Sequence, residues 1–268
     1  AQMAGVAAER LEWQLYAYKG LVAEMGLVKQ LSDNENTTTM ATKIRLLQAR
    51  VENGGFLDGH LVTVVGRSLM DETDFSENAC FKAALKGETT VSDFIVNEDG
   101  STRILFGAPL WQHGQRGLKV AGVIIASMDG DILSQLVEGL QVSENGSAYI
   151  INQEGNVIAH KNRALVTGRS NTIKDAKTDP AQADLAALEQ QMVKGLSGFG
   201  SYVYGGESKV LSFAPISETG GWSLAVTAPQ ADFMEQTWRG IYITIGLVAL
   251  MVAVGAAAAV ATANRISR

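Results

Sequence analysis

The sequence predicts an α+β protein: N-terminal helices, two tandem modules each built on a small antiparallel sheet, and an apolar C-terminal helix that crosses a membrane. Three observations carry this. Apolar residues recur at helical spacing near the N-terminus, short β-rich runs bounded by Gly, Asp and Asn begin at residue 61, and residues 240–263 hold no charge.

Leu11, Leu15, Tyr18, Val22 and Met25 follow a 4-3-4-3 spacing. That spacing places them on one stripe of a helix over about residues 8–31. Met40, Ile44, Leu47 and Val51 repeat the spacing after a polar break rich in N-cap residue types, and Gly54 with Gly55 ends this second helix. Residues 1–60 are therefore expected to form a helical spine rising from the membrane.

Residues 61–65, 91–96, 103–110 and 120–127 read as one antiparallel sheet, with a hairpin turn at 97–100 and a short crossing helix at 81–85. A helical connector, 131–140, completes a first module over 61–140. The pattern then restarts with runs at 147–152 and 156–160 and closes with runs at 200–204, 210–215 and 222–228, giving a second module over 141–236. Ala108-Pro109 and Ala214-Pro215 each end a β-rich run and precede a polar loop and an apolar strand, at an offset of 106 residues. We read this as an internal duplication whose second copy carries a helical insertion at 181–194. Proline at a strand end removes a ladder donor, which an edge or bulge tolerates.

The 24 uncharged residues 240–263 make a helix about 36 Å long, enough for a hydrocarbon core of about 30 Å. A membrane helix is expected over 238–264. Trp238 and Tyr242 stand where an interfacial aromatic belt would be, and Arg265 and Arg268 outnumber Arg239, which puts the C-terminus inside. Gly255, Ala259 and Ala263 would let two such helices pack closely. The chain begins at Ala1 rather than Met and stops just after the span. A further membrane segment is expected upstream and an output domain downstream.

Composition limits the partners. Of 268 residues, 22 are basic and 28 acidic, and only two of the basic ones follow residue 239. The part before the span is thus clearly acidic, which speaks against nucleic acid or an anionic lipid surface as partner. Cys80 is the single cysteine, so no intrachain disulfide forms; beside Phe81 it reads as a small buried apolar residue. His60, His113 and His160 lie in unrelated segments without metal-ligand spacing, and no cofactor is expected. Asp71, Glu72, Asp74 and Glu77 match no calcium loop and read as a solvated acidic stretch. Ser197 lies in a turn that lacks the second glycine of a nucleophile elbow. Nothing points to an enzyme. Phe75, Phe81, Phe94 and Phe106 converge on the first module, with Asn78, Ser127 and Asp129 as polar groups for a largely apolar pocket. Tyr149 and His160 are expected to be structural.

Several segments, in order, resemble the extracellular double Cache domains of bacterial methyl-accepting chemotaxis receptors. Residues 74–87, with Phe81-Lys82-Ala83-Ala84-Leu85-Lys86-Gly87, resemble the segment beside that family's distal ligand pocket. Val91-Ser92, Ala108-Pro109-Leu110 and Gly122-Val123-Ile124 follow in the family's order. Ala148-Tyr149-Ile150-Ile151-Asn152 and Ile158-Ala159-His160 are similar to its second set of opening strands, and residues 220–229 to its closing strand. The resemblance implies PAS-like Cache modules, with 61–140 membrane-distal and ligand-binding and 141–236 membrane-proximal. It also implies a homodimer, a HAMP linker starting at 265–268, and cytoplasmic chemotaxis proteins as downstream partners. Histidine kinases and cyclic-dinucleotide enzymes carry similar outer domains.

The resemblance, taken with the converging phenylalanines and polar groups above, gives an expected small-molecule site lined by Asp74, Asn78, Cys80, Phe81, Phe94, Val96, Phe106, Ser127 and Asp129. Amino-acid-sensing members carry Arg, Trp and Tyr ahead of the short helix and an acidic residue on the last distal strand. Here Asn78, Cys80, Phe81 and Ser127 take those places, and a further Tyr and Asp of the set fall near Phe94 and Val96. Neither Asn nor Cys grips a carboxylate as a guanidinium does. The expected ligand is therefore a less charged molecule than a free α-amino acid.

Overall fold

The predicted apolar stripe forms one face of α1 (Gln2–Met25), where Ala4, Ala8, Leu11, Leu15, Val22 and Met25 are buried in a core that runs on into both sheets. The computed structural model describes residues 2–33, 38–92, 94–97, 99–140, 143 and 145–232. α1 stops six residues short of the expected end because Gly26 touches the first sheet. Its carbonyl accepts from Trp111 N at 3.0 Å, and a Cβ there would lie 2.1 Å from the Pro109 carbonyl oxygen. After α2 (Lys29–Ser32), Thr39 caps α3 (Met40–Asn53) by accepting from Thr42 N. Leu47 and Val51 are buried, whereas Met40 is exposed, so only the second half of that stripe packs.

The first sheet holds β1 (Asp58–Val62), β2 (Thr90–Val91), β3 (Ile95–Val96), β4 (Thr102–Trp111) and β5 (Val120–Asp129). α4 (Ala79–Ala84) lies between β1 and β2 in the chain. The order is β1-β5-β4-β2, with β3 also on β4, and every pairing is antiparallel. The run expected at 91–96 is thus two short strands, and β1 starts three residues earlier than its apolar run. α5 (Asp131–Glu138) leads to β6 (Ser147–Ile151) and β7 (Val157–His160). Then come α6 (Arg163–Thr167), α7 (Thr172–Asp175), α8 (Ala183–Met192), β8 (Gly198–Tyr204), β9 (Glu207–Pro215) and β10 (Ser223–Pro229). The second sheet is antiparallel in the order β7-β6-β10-β9-β8.

The duplication is visible in the two orders: β1-β5-β4 and β6-β10-β9 have the same arrangement, and β7 is an addition outside β6. Pro109 pairs with Val123, and Pro215 with Ser223, at matching places in the two hairpins. Each proline lies beyond the reach of the strand on its other side, since β2 meets β4 only at Phe106 and Gly107, and β8 meets β9 no further than Phe213. The missing donor therefore breaks no ladder.

Strand alternation divides the first sheet into two faces. Ile104, Phe106, Ala108, Ile124, Ala126 and Met128 join the core around α1, whereas Leu105, Val123 and Ile125 pack with Phe75, Cys80 and Phe81 under α4. The span expected at 238–264 and the residues 265–268 lie outside the described residues. Among the described residues no helix is long and apolar enough to cross a membrane.

Candidate functional site

The α4 face of the first sheet carries a polar constellation that begins on β1. Its alternation turns Asp58, His60 and Val62 to this face and Leu61 to the α1 side. β5 lies next to β1 with Asp58 opposite Ser127, and β4 follows with Arg103 opposite Asp129. The Ser127 hydroxyl, buried at 1% exposure, donates to Asp58 Oδ1 at 2.5 Å and accepts from Arg103 Nη1 at 3.1 Å. Arg103 Nη1 also donates to Asp58 Oδ2, so three strands are tied by one charge-assisted bridge.

The segment after β1 folds back over it through bridges Val62–Ser68 and Arg67–Asp74. This brings Ser68 and Asp71 to His60, whose Nδ1 is 3.3 Å from Ser68 Oγ and 3.6 Å from Asp71 Oδ2. His60 Nε2 lies 3.9 Å from Asp58 Oδ1, and the ring packs 5.1 Å from that of Phe75. The Asp71 carboxyl is held below its usual range, first by the Thr73 N–H it accepts, then by the Ser68 and Thr73 hydroxyls. The Ser127 hydroxyl donates to a carboxylate and not to the imidazole, so the arrangement offers fixed donors and acceptors rather than an activated nucleophile.

Of the residues expected from the sequence, Cys80, Phe81 and Ser127 do reach this face. Asn78 serves the backbone: its Oδ1 accepts from Cys80 N at 2.8 Å and Phe81 N at 3.3 Å and caps α4. Asp74 likewise closes its own turn on Ser76 N at 2.9 Å, with Arg67 Nη2 at 3.6 Å. The exposed Asp129 accepts from Asp131 N at 2.9 Å at the start of α5. Cys80 Sγ is 3.5 Å from the Leu105 carbonyl oxygen, and burial pushes the thiol up to about 11. That is a packed thiol, not a reactive one.

Three expectations need correction. Phe106 is fully buried on the α1 side, with its ring 6.1 Å from Tyr18 and 5.7 Å from Phe56, because its position in β4 is one residue out of phase with Arg103 and Leu105. Val96 packs against that same core, and Ile95 takes the place on the α4 face. Phe94 belongs to the α1-side core and lies against Gly130, where a Cβ would come within 2.5 Å of its ring. Sequence reasoning in turn missed Asp58, His60 and Arg103. The signal was present as the alternation Asp58-x-His60-x-Val62, which extends the strand past its apolar run.

The family model for the Cache domain, dCache_1, matches residues 2–237. The chain belongs to the Cache family. No curated protein matches it. Solved structures similar to this Cache domain include the extracellular domain of the putative histidine kinase mmHK1S-Z3, 12% identical, covering 89% of this chain and 96% of that one at a TM-score of 0.67. The ligand-binding domain of the Pseudomonas fluorescens chemoreceptor CtaA, in complex with L-isoleucine, is 16% identical, with coverage of 88% and 92% and a TM-score of 0.62. That of the Pseudomonas aeruginosa PAO1 amino acid chemoreceptor PctC, in complex with GABA, is 21% identical, with coverage of 84% and 96% and a TM-score of 0.61. At these identities the likeness establishes that the double Cache fold is shared.

Proposed function

We propose that this Cache domain is the extracellular sensor of a membrane-anchored chemoreceptor and binds a small polar solute on the α4 face of its first, membrane-distal module. The observation that carries the reading is the Arg103–Ser127–Asp58 bridge with His60 beside it. It places a guanidinium, a carboxylate and an imidazole on the α4 face of a sheet in a family whose solved relatives include ligand-binding domains of chemoreceptors. A solute with one hydrogen-bond acceptor and one donor would engage Arg103 and Asp58 together. Positions 78 and 80 offer no grip for a carboxylate, so a free α-amino acid is not expected to be held there.

In this reading the domain is not an enzyme. It is carried as a homodimer with residues 1 to about 237 outside the cell, and the apolar stretch 240–263 anchors it and passes the signal to cytoplasmic chemotaxis proteins. A ligand moves such a receptor only by preferring one arrangement of the module, and about 5.5 kcal/mol of preference swings a 1:99 equilibrium to 99:1. The likeness to a histidine kinase's extracellular domain supports a second reading, in which the output is a kinase. Autophosphorylation of the full-length protein with ATP would favour the kinase reading.

The test is a thermal-shift screen of the detergent-solubilised chain against amines, short organic acids, nucleobases and amino acids, followed by calorimetry on hits. A hit whose binding is lost in both Arg103→Met and Asp58→Asn supports the site. A hit retained with full affinity by both variants removes it.

A further inference from the structure

The second module holds a carboxyl group that the first does not. Glu189 on α8 is 1% exposed; its Oε1 accepts from the Tyr149 hydroxyl at 2.9 Å, and its Oε2 is buried without a hydrogen-bond partner. Among the described residues no basic side chain forms an ion pair with it. The Tyr149 hydroxyl and, more remotely, that of Thr172 favour the carboxylate, but with no cation beside it a buried carboxylate is costly, whereas the protonated acid is not.

The groups around it are few. β6 presents Tyr149, whose ring is 6.3 Å from His160 on β7; β8 presents Tyr202; α7 presents Thr172 and Asp175. β10 presents Thr227, and on β9 Lys209 is occupied by Glu207 at 3.6 Å and by the Tyr204 ring. Asp175 and the tyrosines add no positive charge that would hold Glu189 ionised. Burial, the largest cause, moves its carboxyl from 4.5 up to about 7.

What lies beside this group gives its ionisation a route outward. α8 is seated on the sheet by its side chains, Leu188 filling the space over Gly200, where a Cβ would be 2.5 Å away. Tyr202, whose own ionisation Glu189 opposes, bonds through its hydroxyl to Thr227 Oγ1 at 2.8 Å. Thr227 lies two residues before Pro229, where β10 ends and the chain leaves the sheet toward its C-terminal part.

We propose that Glu189 is a proton-binding site through which the second module responds to pH: its ionisation lifts α8 from the sheet and loosens the Tyr202–Thr227 link to β10. This does not depend on what the first module binds. A single carboxyl released from such a site changes an opening equilibrium by one proton, so the open population follows pH between the pKa of the free acid and that of the buried one.

Hydrogen exchange of the α8 amides in the full 268-residue chain, corrected for intrinsic rates at pH 5 and pH 8, tests it. The wild type is expected to open at least about tenfold more at pH 8, and Glu189→Gln to lose that dependence. Should Glu189→Gln fail to fold, two other variants decide. Tyr149→Phe removes the donor that favours the carboxylate and should move the transition to higher pH, while His160→Gln should leave it in place. Opening that is independent of pH in the wild type overturns the proposal, as does an increase of opening with pH that persists in Glu189→Gln or is lost in His160→Gln.

Discussion

Arg103 on β4 donates across β5 to the carboxylate of Asp58 on β1, and the Ser127 hydroxyl stands between them, donating to Asp58 and accepting from Arg103. The two charged side chains are 38% and 39% exposed, so solvent screens the pair and it adds little to stability. A solute that engages both half-exposed groups has only to redirect hydrogen bonds that they make to each other and to Ser127. Arg103→Met and Asp58→Asn are therefore expected to leave the unliganded melting temperature within about 4 °C of wild type. Both should abolish the upward shift that a ligand produces. Differential scanning fluorimetry with and without ligand separates the two effects, and a full ligand shift in either variant would count against the bridge as the contact point.

Phe106 tests the division of the sheet into faces. It is fully buried between Tyr18 and Phe56, behind the candidate site. Phe106→Ala is expected to cost about 3–5 kcal/mol through lost transfer energy and a cavity, seen as a lower denaturant midpoint at unchanged slope. Ligand affinity of the folded fraction should stay near wild type. A selective loss of affinity with normal stability would return Phe106 to the pocket.

Cys80 tests how tightly α4 is seated. Its thiol is buried and pushed up to about 11, so at pH 8 only about one molecule in a thousand carries the thiolate. A thiol reagent should label Cys80 only slowly in the folded chain and react rapidly, once per chain, on unfolding. Gly107 lets α4 approach, since a Cβ there would lie 2.7 Å from Cys80 Cβ and 2.8 Å from its carbonyl oxygen. Gly107→Ala should cost about 1–3 kcal/mol by overpacking and speed the labelling of Cys80. Equal labelling rates in the two proteins would show that α4 is not held against β4.

These residues also mark how far the sequence could be read. The helices and most strands were legible because spacing and turn residues are local: Leu11, Leu15, Val22 and Met25 lie on the buried stripe, and Gly54 follows the end of α3. The duplicated hairpin was legible from Ala108-Pro109 and Ala214-Pro215, since a proline at a strand end constrains pairing on one side. The site was harder. Which face a strand residue takes depends on phase, and a one-residue error exchanges the faces. Phe106 follows from the convergence of phenylalanines on the first module and Val96 from its position in the resemblance, and both lie one residue out of phase with Leu105 and Ile95. Asp58 and His60 were missed because polar residues at a strand start look like a loop when strands are found by their apolar runs. Asn78 and Asp74 are expected from the sequence to line the pocket, but their oxygens are used by the backbone. Glu189 carried no signal at all, because only tertiary packing of α8 on β8 distinguishes it from an exposed helix glutamate.

That burial gives the chain a pH dependence whose sign can be worked out. Glu189 goes from 4.5 to about 7 on burial, so the folded chain holds its proton over a range where the unfolded chain has released it. Stability therefore falls as pH rises from about 4.5 to about 7, and is level above that. A shift of this size bounds the loss at about 3 kcal/mol. Asp71 and Asp74 act oppositely but in a lower window, since their carboxyls are held below the usual range and their contribution disappears as pH falls. His160, lowered by burial, adds a rise in stability up to its ordinary value near 6.5, which overlaps the Glu189 window and partly offsets it. Glu189→Gln should thus convert a net fall in unfolding free energy between pH 5 and pH 7.5 into a flat or rising profile, measured by urea denaturation of the full chain at a series of pH values. A wild-type profile that rises through that range, with Glu189→Gln parallel to it, would mean that the carboxyl is hydrated in the folded protein.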